Sequence, residues 1–164
     1  AKNPKAAASL STSLQQGKIE KWYQAVICGK PVDNNGTYVD YLKQDKKNNC
    51  SRIVDKSDPE SKRAELEYKV LDCIQTEEKD PQYLSLVEIK LLTGRHHQIR
   101  VQFSGHGTPL YGDGKYGNNE KAVRKSLALC AYHLKFKHPA TGKIMDFQIK
   151  PDTGAFKLFS KSND

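Results

Sequence analysis

A chain of 164 residues with a net charge of +8 and a pI near 9.2 is the length of one domain and long enough to bury a real core. No apolar run reaches membrane-spanning length, and no stretch has the charged, apolar and small-residue layout of a secretory leader. The excess of Lys and Arg suits a solvated surface or a polyanion partner, nucleic acid being the simplest.

Asn3-Pro4 reads as a helix start, with Ala6, Leu10 and Leu14 on one stripe and Gly17 as the stop. Lys21 to Ile27 is a strand closed by Gly29 and Pro31, and Thr37 to Leu42 is a second. The polar span Lys43 to Ser51 reads as a loop or hairpin end, Arg52 to Val54 as a short strand, and Asp55 to Lys62 as a loop. Ala64, Leu66, Tyr68 and Val70 alternate with polar residues, which predicts a half-buried strand running toward Ile74 with its phase disturbed at Asp72. Thr76 to Gln82 is an acidic turn, Tyr83 to Leu92 a strand, and His96 to Ser104 a helix. Gly105 to Gly117 is irregular, and Asn118 to Lys125 is a short helix. Leu127 to Phe136 and Lys143 to Ile149 are strands joined by a turn over His138 to Gly142. Phe156 and Phe159 dock a final helix. The sum is an α+β fold: a mostly antiparallel mixed sheet with few flanking helices. There are no repeats and no linker, so residues 1–164 read as one unit.

Cys28, Cys50, Cys73 and Cys130 are scattered and form no C-x-x-C pair, the usage of a reducing compartment such as the cytoplasm. The five histidines, His96, His97, His106, His133 and His138, lack metal-site spacing. An acid–base role for one of them stays open.

The densest chemistry lies between Leu91 and Gly117. Gly94 ends a strand, and a helix opening near His96 would turn free backbone N–H groups toward an anion. Arg95 stands at its mouth and Arg100 one turn in, the residue type for bidentate recognition of carboxylate or phosphate. Ile99 and Phe103 form a core-facing i, i+4 pair, so part of this helix is packing. Asp113, flanked by glycines, reads as a turn former. On spacing alone, Tyr23 is core.

The run Leu92-Thr-Gly-Arg-His-His-Gln-Ile-Arg-Val101, followed by Gly107-Thr-Pro-Leu-Tyr-Gly-Asp113 and Tyr116-Gly117, resembles the signature of the RluA-type RNA pseudouridine synthases. Lys21-Trp-Tyr-Gln-Ala-Val26, Leu129-Cys-Ala131 with His138-Pro139, and Ala1-Lys2 with Ala6-Ala7 resemble further segments of that family. The likeness covers essentially the whole chain. It implies isomerisation of uridine to pseudouridine in structured ribosomal or transfer RNA, with no cofactor, no metal and no membrane. By the same resemblance, Tyr23 stacks on the target base and assists proton removal, Arg100 pairs with a catalytic Asp, and Leu129 helps to close the pocket. Lys21, Arg95, His97 and Gln98 fall among the residues that meet RNA.

The family's catalytic Asp lies in an H-R-L-D motif that these 164 residues do not contain. Smaller departures are Cys130 and Gln102, where His is usual, and His96, where a hydroxyl residue is usual. The expectations are that the chain is the C-terminal part of a catalytic domain, inactive by itself, with at least one sheet strand missing. Arg100 is expected to lack its carboxylate, and to need water, an ion or a substitute. Two alternatives are a non-catalytic RNA-binding module on the same fold, and Asp113 as a substitute nucleophile.

Overall fold

The computed structural model describes residues 3–77, 81–117 and 126–159. Helix α1 spans Pro4–Gln15. The Asn3 carboxamide oxygen accepts the Ala6 N–H at 2.8 Å, and Pro4 occupies the first turn, where a missing donor costs nothing. No residue of α1 is buried, and Leu14 is 49% exposed. Its apolar stripe therefore lies at the surface.

Seven strands follow: β1 (Glu20–Cys28), β2 (Asn35–Asp45), β3 (Cys50–Val54), β4 (Lys62–Gln75), β5 (Tyr83–Leu91), β6 (Leu129–Lys137) and β7 (Ile144–Gln148). They form one sheet in the order β3-β2-β4-β5-β1-β6-β7, with every neighbouring pair antiparallel. Helix α2 (Gln98–Gly105) packs on one face, and a short 3-10 turn (Gly154–Phe159) packs on the other. The disturbed phase at Asp72 is a bulge: β4 shifts register against β5 between Val70 and Asp72. A second bulge sits where β1 meets β6. Trp22 pairs with His133 and Tyr23 with Ala131, which leaves Tyr132 as the extra residue.

Three expectations need correction. Much of the span Lys43 to Ser51 is strand, since β2 runs to Asp45 and β3 begins at Cys50. Its polar character reflects an exposed sheet edge. The connection is tight because the Asp45 carboxylate accepts the Asn48 backbone and side-chain N–H groups at 3.0 and 2.7 Å, and Asn49 takes a left-handed turn. The helix expected from His96 begins at Gln98, because His97 is left-handed (φ 53°) and cannot continue a helix. The final helix is the 3-10 turn, which buries Phe156 and packs Phe159 beside it. The helix expected over Asn118 to Lys125 lies outside the described residues.

The central position of β1 explains its sequence. Ala25, Val26 and Ile27 are all fully buried, because both faces of the strand are covered. Ala25 and Ile27 join Leu66, Tyr68, Val87, Ile89 and Leu110 under Ile99 and Phe103 of α2. Val26 faces the other way, toward Leu84, Ala128 and Phe156. A third cluster, Leu42, Ala64 and Val101 with Tyr116, fastens α2 to the β2–β4 side of the sheet. The strand side of the core thus sets where α2 lies, and α2 carries the site.

Candidate active site

The site begins where β5 ends. The backbone N–H groups of Leu92 and Thr93 both donate to the Glu65 carbonyl at 3.1 Å, so the turn is tied to β4 as it leaves the sheet. Gln98, only 3% exposed, completes the tie. Its side-chain oxygen accepts the Thr93 hydroxyl and the Arg95 backbone N–H, each at 2.9 Å, and its amide nitrogen donates to the Glu65 carbonyl at 3.0 Å. Three of the four hydrogen-bonding positions of the Gln98 carboxamide are taken within the chain, so the structure gives this residue, expected to meet substrate, a part in tying the turn to β4. The Arg95 N–H is consumed in the same way, so the turn has fewer free backbone donors than a helix starting at His96 would offer.

Arg95 stands exposed beyond this turn, with its Nε donating to the Arg63 carbonyl at 2.8 Å. Lys21 comes to the same turn from β1: a side-chain carbon at Gly94 would lie 3.5 Å from the Lys21 ammonium. Partial burial lowers the pKa of Lys21. The two residues line one cleft of about 860 Å³ with Lys18 and Lys90.

On α2 the geometry overturns an expectation. Arg100 has a carboxylate: its Nε and Nη2 donate to the two oxygens of Asp113 at 2.8 and 2.7 Å. Asp113 is completely buried, and one of its oxygens also accepts the backbone N–H groups of Lys115 and Tyr116 at 2.9 and 3.0 Å. It is both the turn former expected and the partner that Arg100 was expected to lack. Burial alone would raise the pKa of Asp113. The Arg100 hydrogen bond and the two N–H groups outweigh burial and hold its carboxyl below the ordinary value, while the same bond raises the pKa of Arg100. An ionised, buried and fully bonded carboxylate is a poor nucleophile, which argues against Asp113 as a substitute catalyst.

Next to this pair the Tyr116 hydroxyl accepts the Ser51 N–H at 2.9 Å and is hydrogen-bonded to His97 Nδ1 at 2.8 Å. Burial, together with the nearby charges of Arg100, His96 and Lys115, lowers the pKa of His97. The Tyr116 ring lies under the guanidinium of Arg100, 4.9 Å from ring centre to carbon. Tyr116, Ser51, Thr93 and the partnership of Asp113 escape a reading by residue type. Tyr116 and Asp113 do stand in the same glycine-rich stretch, but nothing in the spacing says that it folds back over α2.

Tyr23 is half-buried and packs against the cluster beneath α2, as does Leu129, which pairs with Ala25 on the neighbouring strand. Burial raises the pKa of the Tyr23 hydroxyl. Beside it lies an open hollow of about 270 Å³, lined by Lys21, Tyr23, Ala131, Leu134, Phe147 and Ile149. The structure thus brings Lys21, Tyr23 and Leu129 to one sheet face, places Lys21 and Arg95 in one cleft, links His97 to Arg100 through Tyr116, and sets Gln98 into the scaffold.

Residues 1–105 match the model of the RNA pseudouridylate synthase family. The chain belongs to the RluA-type RNA pseudouridine synthases. It is 35% identical over 162 residues to an uncharacterized RNA pseudouridine synthase of Aquifex aeolicus, an alignment covering 93% of this chain and 49% of the relative. It is 34% identical over 158 residues to the ribosomal large subunit pseudouridine synthase D of Zymomonas mobilis, covering 92% and 47%. The chain therefore spans about half the length of these curated relatives. Among solved structures, human RNA pseudouridylate synthase domain containing 1 superposes with a TM-score of 0.77 at 23% identity, over 93% of this chain and 62% of the other. That likeness is one of fold, and it agrees with the seven-stranded sheet and sparse helices of this member of the family.

Proposed function

We propose that the gene product containing this chain isomerises uridine to pseudouridine in structured RNA, ribosomal or transfer, in the cytoplasm. The observation that carries the reading is the shared face of Tyr23 and Leu129 beneath α2, whose Arg100 is held rigid. Tyr23 offers an aromatic ring at the edge of an apolar hollow sized for part of a nucleotide, and Leu129 packs on the same cluster. Stacking on an aromatic ring contributes about 1–3 kcal/mol per base. Arg100 has five N–H donors and commits two to Asp113, so its fork can still meet a second carboxylate. Asp113 then aims Arg100 and the second carboxylate does the chemistry. The positive charge of the chain suits RNA phosphates.

The 164 residues contain no H-R-L-D motif, so in this reading the chain by itself turns over no uridine. Tritium release from RNA labelled at uridine carbon 5 tests both statements. The gene product should release tritium, and Tyr23→Ala or Arg100→Met should abolish the release. The bare chain should release none. A gene product that binds RNA and releases nothing would sink the isomerase reading.

One observation favours a second reading, a non-catalytic RNA-binding module. Arg100 is already neutralised inside the chain, so its environment is complete without a further Asp. The same assay separates the two.

A further inference from the structure

The cleft that holds Lys18, Lys21 and Lys90 is one of two that meet at the same turn. The other, of about 430 Å³, lies on the far side, toward β2 and β3, and includes Lys46, Lys62 and His96. Gly94 and Arg95 line both. Among the described residues, none of Lys18, Lys21, Lys46, Lys62, Lys90 and Arg95 meets a carboxylate at ion-pair distance. Lys43, which also borders the second cleft, is different: Asp58 and Glu60 both hold it. Glu20 is the carboxylate at the rim of the first cleft and Glu60 at the rim of the second.

A surface of this kind usually scatters its cations to lower their repulsion. Here Lys21, partly desolvated, lies at Gly94 and lines the same cleft as Arg95. Arg95 is tethered through its Nε, so its guanidinium is positioned before any ligand arrives. Tethering lowers the entropy lost on binding, and an Arg fork matches phosphate oxygens.

We propose that the Gly94–Arg95 turn is a saddle over which the sugar–phosphate backbone of RNA passes. One phosphate sits between Lys21 and Arg95, and the neighbouring phosphates run down into the two clefts toward Lys18 and toward Lys46 and Lys62. The inference rests on the RNA partner of the proposed function and adds a path for its strand. Contacts of this sort fix register without reading sequence.

The test is fluorescence anisotropy of the chain with a labelled RNA stem-loop across a salt series. Each phosphate-bound cation removed should flatten the plot of log affinity against log salt by about 0.7–0.9. Lys46→Gln, Lys62→Gln and Lys21→Gln should each do so, whereas Lys5→Gln and Lys150→Gln, equal in charge change and off the track, should leave the slope in place. Lys46 and Lys62 are exposed, so their variants keep the fold. Equal loss in track and off-track variants, or no RNA binding, would overturn the saddle. Tritium release is read separately. RNA binding along the track by a gene product that releases no tritium sinks the isomerase and keeps the saddle. Tritium release with a salt slope unmoved by Lys46→Gln and Lys62→Gln sinks the saddle alone.

Discussion

Arg100 and Asp113 face each other through two parallel hydrogen bonds of 2.8 and 2.7 Å, with Asp113 fully buried and the Arg100 side chain 18% exposed. The pair spans the glycine-rich stretch that follows α2 and closes it onto the helix. The ion pair therefore adds to the apolar anchoring that Leu110 and Tyr116 give the same loop.

Breaking one side of such a pair leaves an uncompensated charge and costs about 3–5 kcal/mol. Asp113→Ala should lower stability by that order in urea unfolding. Arg100→Met with Asp113→Leu should recover much of the loss, since two apolar side chains leave no buried charge. A double variant as unstable as the single one would show that the N–H bonds to Asp113 carry the loop.

Acid should act on this pair in a defined direction. The Asp113 pKa in the folded chain lies below its ordinary 3.8. Its contribution is complete above about pH 4 and is lost as pH falls through the depressed folded value. Asp113→Asn should therefore be less stable than the wild type at neutral pH, with the gap narrowing below about pH 4 in parallel acid titrations.

His97 has a lowered pKa as well, and the sign runs the same way. Above its ordinary 6.5 the neutral ring costs nothing in either state. As pH drops below that value the unfolded chain takes up a proton first, and stability falls until the folded ring titrates too. NMR titration of the ring protons should place the His97 midpoint below 6.5. Tyr116→Phe removes the hydroxyl bonded to His97 Nδ1 and leaves the Ser51 N–H without its acceptor, at a cost of about 1–3 kcal/mol.

Gln98→Ala should loosen the tie between α2 and β4. The Arg95 N–H would lose its acceptor and the Thr93 hydroxyl the nearer of its two, a loss of about 1–3 kcal/mol. Hydrogen exchange at Arg95 should quicken by one to two orders of magnitude in step. Unchanged exchange would mean that the helix start holds itself.

Gly112→Ala is a sharper test of the loop. Gly112 has φ 76°, and an added carbon would overlap the Ser126 carbonyl, which is backbone and cannot swing aside. The variant should melt lower by several degrees or fail to fold, whereas Gly142→Ala, also at positive φ but in open space, should lose about 1 kcal/mol.

The sheet was legible because its alternation is strong, down to the phase break at Asp72. The outer turn was not, because β2 and β3 are exposed and polar residues serve an exposed strand as well as a loop. The start of α2 was misplaced by two residues: a single left-handed residue leaves no mark on the apolar spacing, and His97 takes that conformation just before Gln98. The chemistry of Arg100 was legible as a fork for carboxylate or phosphate, which the family resemblance narrowed to a carboxylate. Its supplier was not, since Asp113 between glycines satisfies a turn equally well, and only the folded loop shows one carboxylate serving both. Gln98 shows the converse, a polar residue in a functional motif whose bonds all point inward.

The extra residue opposite Trp22 and Tyr23 has an arithmetic consequence. Leu129 and Leu134 are an odd number of positions apart, yet they pair with Ala25 and Lys21, an even number apart, and so emerge on the same side as Tyr23. Tyr132 absorbs the odd step. Were the bulge to straighten with every residue kept, Leu134 would pass to the opposite surface and the hollow beside Tyr23 would lose one wall, whereas deleting Tyr132 would leave Leu134 opposite Lys21 in an uninterrupted strand. The irregularity, rather than any one side chain in it, thus sets that wall, and a deletion of one residue tests the point where a substitution does not.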